Sequence, residues 1–266
     1  MDKKEGKEYR TTIGFSNKNN LKKFFKFTDV SPIVNWEKIE QSNKRLADIF
    51  HRINETVSED TKQSNIDIFC KKIETAYNIM KQNNIIEKLN NQGREPDDVY
   101  YNWMRGYLVC EYFISSISKL FGVEENKISI IGQDDLKKIE TFARTATADF
   151  ELKNLRGKDI RLEIQSGYTG INDIKLSKIH EAKQQYEHRK IESYIIHFDL
   201  FNGFAAVVNI TDFYKIPESA YHKAFENTDV LKIKDEWFKW NLMKKLPYLT
   251  DVVIKYSPKL LASAPQ

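Results

Sequence analysis

The chain has 266 residues, 41% hydrophobic and 30% charged, and its 42 Lys and Arg outweigh 38 Asp and Glu for a formal charge of +4. That size suits one large folded domain or two small ones, and no run approaches the roughly 18 apolar residues of a membrane helix. Cys70 and Cys110 are the only cysteines, too few for a disulfide framework or a Cys-rich zinc site, and Met1-Asp2-Lys3-Lys4 lacks the apolar core of a secretory signal, so a cytoplasmic location is expected.

Residues 1–97 read as an N-terminal arm and helical region. From Trp36 to about Met80 the apolar positions, among them Ile39, Leu46, Phe50, Phe69, Ile73 and Met80, recur at threes and fours, the period of an amphipathic helix. An Asn-rich stretch over 81–94, followed by Pro96, ends it. A new helix is expected from Asp97 or Asp98, whose side chains can cap free amides, to Leu120 or Phe121, with Gly122 as its stop. Inside it Glu111 is the only charge from Gly106 to Ser118, and an ionised carboxylate among Tyr107, Leu108, Val109, Phe113 and Ile114 is costly unless partnered or bound to a cation.

Beyond Gly122 the texture changes. Strands are expected over Lys127–Ile131, Thr145–Lys153, Ile160–Gln165, Ser193–Asp199 and Phe204–Ile210. Asp134–Arg144 reads as a helix or turn, Leu155–Asp159 as a turn in which Gly157 takes positive φ, Ser166–Asn172 as a loop, and Asp173 to about Arg189 as a helix. The result is an α/β (α+β) chain: a core over 98–215 with a mixed central sheet flanked by helices, and a C-terminal helical extension, 216–266, forming one compact unit with it.

Charge is unevenly distributed. Residues 1–27 carry +5 and residues 231–266 carry +4, so the stretch between them carries −5. Basic ends around an acidic middle suit a polyanion held by the flanks and a carboxylate site between them, although lysine-rich ends are also common as plain solvated surface. Within the middle, alternation along a strand puts Asp149, Glu151 and Lys153 on one face, and Arg161, Glu163 and Gln165 on one face of the next strand. Asp149 and Glu163 each lie seven residues from Arg156, so a hairpin closing there sets them nearly opposite each other. Opposed like charges destabilise a sheet, and a divalent cation between them turns that penalty into a binding site.

An Asp on one hairpin strand, an acid followed two residues later by Gln165 on the next, a preceding helix with Glu111, and a following helix and two strands resemble the core of the PD-(D/E)xK nucleases found in type II restriction endonucleases. Gln165 stands where most members have Lys, and a minority have Glu-x-Gln. Ala148 stands where the name-giving motif has Pro. The resemblance covers about residues 98–210 and implies Mg²⁺-dependent cleavage of double-stranded DNA. Asp149, Glu163 and Glu111 would be the metal ligands and, with Gln165, the catalytic set. Gln165 can orient water by hydrogen bonding but cannot serve as a base or a positive charge, so Lys153, Lys175, Lys178 or a second metal would supply the charge. Lys153, Ser166, Tyr168, Lys175 and Lys178 are the candidate DNA contacts, and a homodimer is expected because a two-fold symmetric site suits a two-fold symmetric enzyme.

Other readings stay open on the residues alone. Asp149 and Glu163 are ordinary on the solvent face of a hairpin, Glu151 faces the same way as Asp149, and Glu111 could be a core-edge residue paired with a basic neighbour. A repair or structure-specific nuclease, or a non-catalytic DNA-binding protein of the same fold, are the alternatives. His51, His180, His188, His197 and His222 show no metal spacing and read as structural or surface groups, and no phosphate-binding glycine loop is present.

Overall fold

The computed structural model describes residues 3–15, 17–25, 33–89, 94–130, 149–153, 157–224 and 228–261. The expected element at 134–144 and the start of the strand expected from Thr145 lie outside the described residues. The chain divides into two compact units, residues 1–48 with 71–105, and residues 49–70 with 106–266.

The first unit is helical. It holds α1 (Lys3–Thr12), α2 (Lys18–Phe25) and the parts within its range of α3 (Trp36–Thr56), α4 (Ile66–Gln82) and α5 (Pro96–Phe121). Asn35 starts α3 by accepting the Lys38 N–H at 3.0 Å on its side-chain oxygen. Ile39, Leu46, Ala76, Met80, Tyr100 and Met104, the residues at helical spacing, are buried, and Tyr100 donates its hydroxyl to Asn43 at 2.8 Å. α5 begins at Pro96, ahead of the expected Asp97 or Asp98. Proline is favoured at a first helical position because its missing N–H has no helical partner there. Both aspartates instead pair with the Lys38 ammonium.

The second unit is built on a mixed sheet with strand order β1-β2-β3-β5-β6-β10: β1 (Ser129–Ile130), β2 (Phe150–Lys153), β3 (Asp159–Gly167), β5 (Glu192–Asp199), β6 (Phe204–Asn209) and β10 (Val253–Lys255). β9 (Trp240–Asn241) also pairs with β6. The β2–β3 hairpin is antiparallel, and Gly157 beside its turn has φ 72°. β3 and β5 are parallel, which requires a crossover, supplied by α6 (Leu176–Arg189). β5 and β6 are buried almost throughout, as expected of interior strands covered on both faces.

Register fixes which side chains share a face. Glu163 lies beside Ile195 and Gln165 beside His197, and Ile195 packs in one cluster with Ile179 and Ala182 of α6. Arg161, Glu163 and Gln165 therefore look toward α6. The opposite face meets α5, where Phe113 stacks on Phe198 with ring centroids 4.0 Å apart and Phe121 meets Tyr194 edge-on at 5.4 Å. α5 ends as expected: the N–H groups of Gly122 and Val123 donate back to the carbonyls of Lys119 and Ser118, at 3.2 and 2.9 Å.

Three expectations are corrected. β3 continues to Gly167, through the start of the expected loop, because it pairs with β5 along its whole length. Asp173–Lys175 is not the first turn of a helix but a strand, β4, paired with β8 (Asp229–Lys232) and through it with β7 (His222–Lys223). Among the described residues the segment 216–266 is not mainly helical: besides short 3₁₀ turns it holds the four-residue α7 (Leu249–Val252) and the strands β7, β8, β9 and β10. Its apolar residues serve as strand and core positions, with Ile254 beside Val208 and Trp237 and Trp240 buried.

Candidate active site

Asp149 and Glu163 come together as the hairpin arithmetic expects. The β2–β3 ladder pairs Phe150 with Leu162, and the same register continued by one residue sets Asp149 opposite Glu163. The Asp149 N–H donates to the Leu162 carbonyl at 3.0 Å, and its carboxylate accepts the Ile164 N–H at 2.6 Å. The Asp149 side chain is thus tied to the backbone beside Glu163.

Glu163 is the electrostatically unusual group. Its side chain is only 20% exposed and lies 2.8 Å from the ammonium of Lys178, itself 15% exposed. Burial raises the Glu163 pKa first and the Asp149 charge raises it further, while Lys178 pulls it down; the outcome is about 7. Burial disfavours the Lys178 cation, but the Glu163, Glu181 and Asp149 carboxylates outweigh it and keep its pKa raised. Of the three lysines expected to bring charge, Lys178 is therefore the one at the carboxylates. Lys153 pairs with Asp159 at 3.8 Å, and Lys175 is exposed on β4 beside Val230.

A chain of ion pairs continues away from the pair. Lys178 lies 3.7 Å from Glu181, Glu181 3.5 Å from Arg161, and Arg161 3.3 Å from Glu151, which also meets Arg189 at 3.5 Å. Glu151, the alternative to Asp149, is thus held by two arginines. A cavity of about 20 Å³, close to the volume one water centre needs, lies among Arg161, Glu163, Lys178, Glu181 and Ser193.

Gln165 is half-buried, and its Oε1 lies 3.2 Å from His197 Nδ1; His197 Nε2 lies 2.8 Å from Asn172 Oδ1. Sequence alone marks His197 only as a structural or surface histidine and gives Asn172 no role beyond the end of a loop. The available signal was a lone histidine in the otherwise apolar run Tyr194-Ile195-Ile196-His197-Phe198, but its neighbour depends on the parallel register of two strands separated by a helix. Ser166 points to the face opposite Gln165, and Tyr168 is exposed on the loop after β3.

Glu111 lies on a different element from the pair. It sits half-buried on α5, the helix that packs on the other sheet face, and its charge acts on Tyr107, whose pKa burial and then Glu111 push up to about 12. Among the described residues no three His, Cys, Asp or Glu side chains converge as a metal-ligand group. The donor set at the hairpin is two carboxylates on adjacent strands. That set still suits Mg²⁺, which characteristically takes one or two protein carboxylates and completes its shell with water and substrate phosphate oxygens.

Compared with the models of known protein families, with curated proteins and with solved structures, the chain shows no match.

Proposed function

We propose that the chain is a Mg²⁺-dependent nuclease of the PD-(D/E)xK type that hydrolyses phosphodiester bonds in double-stranded DNA, in the specific form of a type II restriction endonuclease acting as a homodimer at a short site in the cytoplasm. The observation that carries this reading is the pairing of Asp149 and Glu163 across the hairpin, beneath a helix that delivers Lys178 to Glu163 at 2.8 Å. The observed order α5, β1, β2, β3, β4, α6, β5, β6 supports it, with the short β4 as an addition between the hairpin and the helix.

Mg²⁺ at the two carboxylates would relieve their mutual repulsion, acidify a bound water and screen the charge building on the scissile phosphate. Asp149, tied down by the Ile164 N–H, and Glu163 would be its protein ligands. Lys178 occupies the role that Gln165 cannot fill, placing a fixed positive charge where a phosphate oxygen would approach. Gln165 would orient the attacking water through its amide.

Incubation with plasmid DNA and Mg²⁺, and then with EDTA, tests the reading. Discrete fragments that disappear with EDTA support restriction, and unspecific degradation supports another nuclease of this type. A second reading, a non-catalytic DNA-binding protein, is favoured by the closed ion-pair chain from Lys178 to Glu151 and by Gln165 at the lysine position. DNA binding without cleavage is its signature.

A further inference from the structure

Gln165 is held by side chains that the reaction above does not otherwise use. Because β3 and β5 are parallel with Gln165 beside His197, the two side chains leave the sheet next to each other. His197 and Asn172 are both buried. Phe238 meets the imidazole edge-on with centroids 6.0 Å apart, and the backbone at Gly167 comes so close that a Cβ there would stand 3.3 Å from His197 Nε2.

The hydrogen-bonding inventory of this cluster is restrictive. A neutral imidazole has one N–H and one lone pair, whereas each amide offers an oxygen that accepts and a nitrogen that donates. Burial lowers the His197 pKa to about 4, so at neutral pH the ring has no second proton with which to satisfy two amide oxygens. One of the two amides has to turn its NH₂ to the ring. The contact with Asn172 is the shorter, 2.8 Å against 3.2 Å, which assigns the ring N–H to Nε2 and the lone pair to Nδ1. Gln165 then donates its NH₂ to Nδ1, and its carbonyl oxygen becomes the group available on the face shared with Glu163.

We infer that His197 is a positioning residue that fixes the polarity of the Gln165 amide, holding its carbonyl oxygen outward as an acceptor for a hydrogen bond from the attacking water. This rests on the nuclease reading and deepens it: the residue at the usual lysine position works as a fixed acceptor, and Lys178 supplies the charge. The role is one of orientation alone: the water donates a hydrogen bond to Gln165, no bond to Gln165 or His197 is made or broken, and the proton the water gives up on attack passes to bulk solvent water.

Nitrogen-15 NMR of the full chain at pH 7 reads the ring directly. The inference expects a protonated Nε2 and a bare Nδ1 at His197, with the Gln165 NH₂ signal displaced by its bond to the ring; a protonated Nδ1 overturns it. Kinetics give the second readout. His197→Phe keeps an aromatic ring against Phe238 and should lower kcat on a DNA substrate about tenfold, in the range typical of positioning partners, with KM unchanged. Gln165→Met should do the same, and the double variant should be no slower than Gln165→Met alone. Wild-type kcat in His197→Phe, or losses that multiply in the double variant, refutes the positioning role. A wild-type chain inert on plasmid DNA with Mg²⁺ removes the nuclease reading and the water-orienting role together, whereas an Nδ1–H ring in an active chain removes only this inference.

Discussion

Replacing Glu163 with Gln isolates the cost of ionising a carboxyl beside Asp149. In the folded chain the Glu163 pKa is raised from 4.5 to about 7, by burial first and by Asp149 second. A carboxyl with a raised folded pKa binds its proton more tightly when folded, so its favourable contribution is complete below pH 4.5 and is lost as pH rises through about 7. At about 1.4 kcal/mol per pH unit, the full loss is about 3 kcal/mol. Glu163→Gln keeps the shape and removes the titration, so subtracting its stability from that of the wild type cancels the groups that do not interact with Glu163 and leaves its own titration with that of its neighbours Asp149, Lys178 and Glu181. Urea denaturation in EDTA at pH 4.5, 6 and 8 should show the wild type losing about 3 kcal/mol relative to Glu163→Gln between the first and last points. If Asp149 and Glu163 hold Mg²⁺ as proposed, adding the ion should restore part of this at pH 8, because it would bind the ionised form. A difference that does not change with pH refutes the argument, because Glu163 would then titrate as an ordinary surface carboxyl.

Three further outcomes follow from the packing around the site. Lys178→Met should destabilise by about 3 kcal/mol at pH 8, the scale for breaking a largely buried pair, and by much less at pH 4.5 where Glu163 is protonated; denaturant titrations at the two pH values check it. Gly167→Ala places a methyl 3.3 Å from both His197 Nε2 and the Ile171 carbonyl, and should cost about 1 to 2 kcal/mol in thermal unfolding. Phe113→Ala removes the ring stacked on Phe198 and should cost about 3 to 5 kcal/mol by the same measurement, without altering the pH dependence assigned to Glu163.

The parts of this arrangement that are legible in the sequence are the local ones. Asp149 and Glu163 can be paired from sequence because an antiparallel hairpin folds about its turn, and counting from Arg156 gives the register. α5 is legible from the capping aspartates near its start and its terminal glycine, although the helix takes in Pro96, which by sequence only closes the stretch before it. Asp173–Lys175 is not, because whether Ile174 opens a helix or lies in a strand depends on β8, which arrives much later in the chain. The aromatic and lysine-rich segment around Trp237 and Trp240 has the composition of an amphipathic helix, and only its place against β6 makes it a turn and a strand. Lys178 could be named only as one of several lysines, since its distance to Glu163 depends on how α6 lies across the sheet. His197 beside Gln165 is invisible for the same reason.

Asp149 and Glu163 are proposed to act together as the metal-binding pair of a DNA-cleaving site. The most direct test of this claim is the single-turnover cleavage rate of duplex DNA in Mg²⁺ for the wild type, Asp149→Ala and Glu163→Ala, with folding of each verified. Both variants should lose at least about a hundredfold in rate, the scale expected when a group stabilising transition-state charge is removed; cleavage at the wild-type rate by either one contradicts the claim.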